Sequence, residues 1–270
     1  MPYFKTEICN YYFQQKGKGK TLIFAHGLFV DHTIFEHQFE HLSKNYNCFS
    51  FDLPGHSKSN FRESGWTLQE IADDFYKFII KNKIRKPILI GQSQGGMIFM
   101  RLAIKFPDLV GGLILIGTSS KAEYKNRFPF WKEVILTLET QNNSKVNNLL
   151  AQIQKNVVSE YFLKNSPSKA LQELKMMQNH HPIGLSLSTQ AAVLHRTDIS
   201  DQIHKIKCKT LIVCGVDDHA TPIEISEMMN TEIKGAQLEI IQNASHHIPI
   251  EKPEALTNSI FKFVIMNNKL

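Results

Sequence analysis

The 270-residue chain predicts an α/β fold: a mostly parallel central sheet flanked by helices on both faces, with one inserted helical segment. Three observations carry the prediction. Short apolar runs alternate with amphipathic ones from residue 20 onward. The apolar runs are continuous, as strands buried on both faces require. The alternation lapses near residue 121 and resumes after residue 205.

The elements follow in order. Thr21-Leu22-Ile23-Phe24-Ala25 reads as a strand, 33–44 as a helix, 46–51 as a strand and 67–83 as a helix. Pro87-Ile88-Leu89-Ile90 leads into a helix over 94–106, and Gly112-Leu113-Ile114-Leu115-Ile116 follows as a strand. Within 121–205 there are helical stretches, 130–139 and 168–178 among them, and no strand between. The rhythm returns with Thr210-Leu211-Ile212-Val213-Cys214, a helix over 222–232, a strand over 237–241 and a last helix from Pro253, a residue suited to the first helical position. Residues 1–120 and 206–270 are thus expected to form one core domain and 121–205 an inserted lid. Residues 14–20 read as a short polar turn.

Composition excludes several classes. At 42% apolar and 21% charged residues the chain is neither disordered nor fibrous. The longest apolar run is strand-length, well short of the roughly 20 residues that span a bilayer. The first residues lack a basic segment followed by an apolar one, so export is not indicated. Cys9, Cys48, Cys208 and Cys214 form no CxxC pair and read as small core residues in a reducing cytoplasm. The net charge of +6 comes with no arginine-aromatic cluster, so no nucleic acid partner is expected.

Gly91-Gln92-Ser93-Gln94-Gly95-Gly96 fits G-x-S-x-G, directly after a strand and directly before a helix. That context demands a tight turn with the serine hydroxyl exposed at the carboxyl edge of the sheet. The helix beginning there aims unpaired N–H groups at the reacting centre. The alternative for Ser93 is an ordinary helix N-cap.

With these residues in place the chain resembles the α/β-hydrolase superfamily, from about residue 20 to 265. His26-Gly27 looks like the family's turn after the first core strand. Asp52-Leu53-Pro54-Gly55-His56-Ser57-Lys58-Ser59 looks like its D-x-x-G-x-G-x-S turn, with Ser57 in place of a Gly. Gly215-Val216-Asp217-Asp218-His219-Ala220-Thr221-Pro222 resembles its acid loop, and Ala244-Ser245-His246-His247 through Glu251 and Pro253 its histidine loop, with Ser245 for the usual Gly. A serine needs a base, and the base an acid to fix its tautomer. The resemblance implies Ser93, Asp218 and His246 in those roles. Asp217 stays a competitor, since register alone separates adjacent carboxylates, and His247 is the neighbour to exclude.

The same resemblance implies an oxyanion hole from the backbone N–H of Gln94 with that of Leu28, or alternatively of Phe29. It also implies esterase, lactonase or thioesterase chemistry near the 3-oxoadipate enol-lactonase-like and carboxylesterase-like members, on a small-molecule acyl substrate with no cofactor and no metal. Carbon-carbon bond hydrolases, lyases and perhydrolases share the triad, and a receptor that has lost catalysis shares the scaffold. The lid is expected to line the pocket with Phe128, Phe130, Trp131, Met176 and Met177, with Phe29 opposite, or else to use these side chains for its own core.

Two further patterns are set aside. His37-Gln38-Phe39-Glu40-His41 matches a zinc-binding H-x-x-E-H, but both histidines fall toward the solvated side of their helix. Gly19-Lys20-Thr21 imitates the end of a phosphate loop but precedes a strand. Between residues 121 and 205 there are eleven basic and seven acidic side chains, an excess of four out of the chain's six. The excess reads either as a soluble surface or as guidance for an acidic substrate or acidic acyl carrier, whose encounter rate salt would then suppress.

Overall fold

A computed structural model describes residues 2–268. In chain order the elements are β1 (Tyr3–Lys5), β2 (Asn10–Lys16), β3 (Thr21–Ala25), α1 (Glu36–Leu42), β4 (Asn47–Phe51), α2 (Leu68–Lys81), β5 (Ile88–Gln92), α3 (Gln94–Lys105) and β6 (Gly112–Ile116). Five helices follow without a strand: α4 (Phe128–Glu139), α5 (Asn143–Val157), α6 (Glu160–Asn165), α7 (Pro167–Gln178) and α8 (Pro182–Thr189). The chain closes with β7 (Thr210–Gly215), α9 (Ile223–Glu232), β8 (Gln237–Ile241), α10 (Ile248–Glu251) and α11 (Pro253–Asn268).

The sheet order is β1-β2-β4-β3-β5-β6-β7-β8. The pairs β1·β2 and β2·β4 are antiparallel, and every later pair is parallel. In β3, β5, β6 and β7 every residue is buried, because helices cover both faces. Successive side chains on a strand point to opposite faces. Accordingly Ile23, Leu89, Leu113 and Ile212 pack with α2, α3 and α9, while Phe24, Ile90, Ile114 and Val213 pack with α1 and α11.

The helices over the sheet form for local reasons that the packing completes. In α2, Leu68, Ile71, Phe75, Phe78 and Ile79 recur at helical spacing and are buried, each worth roughly 1.5–3 kcal/mol in area removed from water. Thr67 and Glu70 close its start as a capping box.

Two differences from the sequence reading stand out. Gln14 to Lys16 belong to β2 and are not a polar turn, and β1 was not anticipated. Edge strands half open to water carry mixed side chains, so their apolar pattern is weak. The four cysteines are free, three of them buried. No helix among the described residues is long and apolar enough to cross a membrane.

Candidate active site

Three loops at the carboxyl edge of β5, β7 and β8 carry the site. Between β5 and α3 the chain turns so sharply that Ser93 adopts φ 50°, ψ −113°. Such a conformation costs a non-glycine residue about 1–3 kcal/mol and persists where the surroundings over-determine it. The surroundings do so: Ser93 N–H donates to the Ile116 carbonyl at 2.9 Å, and Thr118 Oγ1 donates to the Ser93 carbonyl at 2.6 Å. A Cβ on Gly95 would lie 2.1 Å from the Ala25 carbonyl oxygen, and one on Gly91 would lie 2.5 Å from the Gly95 backbone, so the turn closes only with glycine there. The Ser93 side chain makes no capping hydrogen bond to α3. Ser93 thus stands at the N-cap position without capping the helix through its side chain, and the hydroxyl stays free at the helix start.

After β7, Asp218 is buried while Asp217 is exposed. Asp218 Oδ1 accepts from the N–H of Ala220 and of Thr221, both at 2.9 Å, and Oδ2 from Thr221 Oγ1 at 2.8 Å. Oδ2 also lies 2.9 Å from His246 Nδ1. Burial pushes the Asp218 carboxyl upward, but His246 and the Thr221 donors outweigh it and hold the group below its ordinary range. Asp218 is thus ionised, and Nδ1 of His246 carries the proton it accepts. The structure separates the adjacent carboxylates that register could not. Gly117, at φ +48°, underlies the pair: a Cβ there would come within 3.2 Å of both Asp218 Oδ2 and His246 Nδ1.

His246 sits between β8 and α10, and the helical insertion holds it. The Val157 carbonyl at the end of α5 accepts from the N–H of both His246 and His247 at 3.1 Å. Buried Glu251 accepts from Ser245 N–H and, at 2.8 Å, from Ser159 N–H. His247 Nδ1 bonds to Glu173 of α7, whose other oxygen accepts from Gln154 Nε2 at 2.7 Å. His247 is therefore a tie between core and insertion. Ser245, which replaces a glycine of the family pattern, uses its hydroxyl to bond the Asp217 carbonyl at 2.9 Å and so joins the acid loop to the histidine loop.

Two N–H groups border the cavity that Ser93 and His246 line. Among the described residues, neither Leu28 N–H nor Gln94 N–H has an acceptor, and both residues line that cavity. Phe29, the alternative donor, is corrected here: its N–H donates to His56 Nε2 at 3.2 Å, and its carbonyl lies 3.0 Å from His180 Nε2. This clamp holds Phe29 at φ 69°. Ser57, at φ 47°, takes the left-handed conformation that suits the glycine of the family pattern, and its N–H donates to His180 Nδ1 at 2.9 Å.

The buried histidines around this clamp carry a pH consequence. Burial lowers His26 to about 4 from 6.5 and lowers His56 and His180 as well. Below pH 6.5 the unfolded chain takes up protons that the folded protein refuses. Their contribution is fully present above pH 6.5 and is lost as pH falls toward the folded values. His26 alone should remove about 2 kcal/mol of stability between pH 7 and 5. Urea titrations at the two pH values measure this, and equal midpoints with equal slopes would contradict the burial of neutral imidazoles.

The cavity is about 90 Å³. Phe29, Trp131 and Met177 line it as expected, but Phe128, Phe130 and Met176 do not. On α4 the inward side is Trp131, Val134, Ile135 and Leu138, and Phe130, one residue before Trp131, is turned out to 50% exposure. Met176 faces a separate groove against α1. The lining residues that sequence reasoning missed include Met97, Ile153, Val193, Lys121, Glu123, Arg127 and Arg196. No motif marks them, because they meet only when the insertion folds back on the sheet.

Two sets of ligand-type residues lie elsewhere. Asp31, His32 and Asp52 are close enough to share an ion. Asp52 Oδ1 already accepts from His32 N–H at 2.9 Å and faces its Nδ1 at 2.6 Å, while Asp31 accepts from Thr33 N–H at 2.8 Å. In the H-x-x-E-H stretch the rings of His37 and His41 stack at 4.7 Å, and His37 Nδ1 pairs with Thr257 Oγ1 at 3.0 Å, so His37 leans on α11.

The eight-stranded sheet, the strained serine between β5 and α3 and the Asp218–His246 pair define a protein of the α/β-hydrolase class. The family model for the alpha/beta hydrolase fold matches residues 20–253, and the chain belongs to that family. It is 28% identical over 246 residues to the proline iminopeptidase PfmaB of Pestalotiopsis fici, covering 82% of this chain and 83% of that one. A thermophilic esterase from Thermogutta terrifontis, 24% identical, superposes with a TM-score of 0.88 over 96% of this chain and 94% of its own. The enol-lactonase from Burkholderia xenovorans, 19% identical, gives 0.89 over 98% and 100%.

Proposed function

We propose that the protein is a serine hydrolase that cleaves a carboxylic ester, lactone or thioester through an acyl-enzyme. The observation that carries this is a free serine hydroxyl at a strained helix start, in one cavity with an imidazole whose Nδ1 is 2.9 Å from a buried, ionised carboxylate. Because Asp218 holds the proton on Nδ1, Nε2 is the nitrogen left to accept one. Ser93 Oγ attacks the substrate carbonyl carbon and gives its proton to Nε2. The oxyanion takes hydrogen bonds from Leu28 N–H and Gln94 N–H, and the α3 dipole adds to them. His246 then protonates the leaving group, and water, activated by the same nitrogen, releases the acid. Apart from water and the substrate, every group in these steps belongs to the chain.

Residues 121–205 act as a lid in this reading. Their bonds to His246, His247 and Glu251 make the lid part of what positions the base as well as the wall of the pocket. A similarity to an iminopeptidase would suggest a substrate amine, but the charged side chains lining the cavity are Lys121, Arg127 and Arg196 against Glu123. An acyl group without a cationic end fits that lining better.

A fluorophosphonate probe should label Ser93 in the native protein. The cavity is below the roughly 300–1,000 Å³ typical for drug-sized ligands. Acetyl and butyryl nitrophenyl esters should therefore exceed octanoyl in kcat/KM by about tenfold or more, although each buried methylene would otherwise add about 0.8 kcal/mol of binding. A rate that climbs steadily to octanoyl would refute a small closed pocket.

A further inference from the structure

The cavity beside Ser93 has a polar end built from the insertion and the loop that precedes it. Arg196 and Glu123 have side chains only 8% and 9% exposed, yet their closest nitrogen and oxygen atoms are 3.7 Å apart. That is an ion pair without a hydrogen bond. Glu123 also faces Arg127 at 3.5 Å, so one carboxylate serves two guanidinium groups, and Lys121 lines the same cavity. Asp198 acts on Arg196 and Lys121 through space, while its oxygens accept from Ser200 N–H at 2.8 Å and Ala122 N–H at 3.4 Å.

The hydrogen-bond inventory points the same way. Arg196 Nη1 donates to the Ala192 carbonyl at 3.0 Å and touches Met97 Sδ at 3.3 Å, which fixes the guanidinium in place. Its Nε has no partner. Among the described residues lining this cavity, the other buried side-chain atom without a partner is Trp131 Nε1. Both are donors, and buried donors left unpaired favour a ligand rich in acceptors. Three cations against two carboxylates, Glu123 and Asp198, and two unsatisfied donors leave room for an anion with two acceptor oxygens, which is the shape a guanidinium edge grips in bidentate fashion.

Resting on the hydrolase reading above, we propose that Arg196, with Arg127, Lys121 and Trp131, binds a carboxylate carried by the acyl part of the substrate. The substrate is then a half-ester or related acyl derivative of a short dicarboxylic acid, held at one end by the guanidinium and cleaved at the other by Ser93. The small cavity between the two ends limits the acyl chain to a few carbons. Burial also lowers the pKa of Arg196, as expected for a cation short of partners, and a bound carboxylate would reverse that shift.

The test compares hydrolysis of monomethyl glutarate and of methyl pentanoate, which have acyl chains of equal length. Wild-type protein should prefer the anionic ester by about 30-fold or more in kcat/KM. Arg196→Gln should lower that ratio by about 30-fold, chiefly through KM for the anionic ester, as loss of a charge-assisted bidentate contact implies. Arg196→Lys should recover part of it, and Arg127→Gln, on a side chain 37% exposed, should lower it less. Absence of a preference in the wild type, or equal losses for both esters in Arg196→Gln and Arg127→Gln, overturns the proposal. Calorimetric binding of glutarate to Ser93→Ala protein separates this claim from the reading beneath it. Glutarate binding that depends on Arg196, while the wild-type protein cleaves neither ester, upholds the anion site and removes the hydrolase. Ester cleavage without any glutarate binding does the opposite.

Discussion

Ser93→Ala should keep its fold and lose about 10⁴-fold or more in turnover of its best ester. The two halves of that expectation have different physical sources. The hydroxyl makes no capping hydrogen bond, and the backbone around it is fixed by Ile116, Thr118 and the close approach of Gly95 to Ala25. Removing Oγ therefore takes almost nothing from stability, and φ 50° strains alanine about as much as serine. Turnover depends on the covalent step, and removing a serine nucleophile leaves only the background from oxyanion binding and substrate positioning. Thermal melts and steady-state rates on the same preparation measure both halves. Retained turnover in a correctly folded variant would end the serine mechanism, and it would do so independently of substrate identity.

Asp218→Asn should fall by about 10⁴-fold, while Asp217→Asn stays within about threefold. Asp218 Oδ1 accepts two backbone N–H groups, so an asparagine must keep its carbonyl oxygen there. The amide NH₂ then replaces Oδ2, 2.9 Å from His246 Nδ1, and becomes a donor where an acceptor is needed. The imidazole answers by moving its proton to Nε2, the nitrogen that must take the proton of Ser93. Asp217 is exposed and contributes its carbonyl to Ser245 Oγ, which the substitution leaves in place. Rates for the two variants on one short-chain ester decide it; the reverse ranking would assign the acid to Asp217.

The insertion changes how the site is to be understood. Val157, Ser159, Glu173 and His180 all lie within residues 121–205, and each bonds to a core loop that carries His246, His247, Glu251 or Phe29. Buried hydrogen bonds of this number resist opening, since separating them exposes or orphans polar groups on both sides. Gln94 adds another link through Ser188 of α8 at 3.1 Å. Residues 121–205 are thus bonded into the loops that carry these residues, in contrast to a flap resting on their surface.

Local sequence determined the parts of this protein whose physics is local. A fully buried parallel strand must be continuously apolar, and a helix over a sheet must repeat its apolar residues every three or four positions, so β3, β5, β6 and β7 and the helices α2, α3 and α11 could be read directly. A strand-to-helix turn as tight as that at Ser93 tolerates only glycine at Gly91 and Gly95, so the turn that carries Ser93 was legible as well. Tertiary structure alone decided the rest. It buried Asp218 against His246 and exposed Asp217, and it spent the Phe29 N–H on His56, 27 residues away. It turned Phe130 outward and brought Arg196 to the end of the cavity, about a hundred residues after the serine. Adjacent carboxylates, helix-face residues and distant arginines have the same local chemistry wherever they stand. Only the approach of other segments gives each a partner, a burial and hence a role.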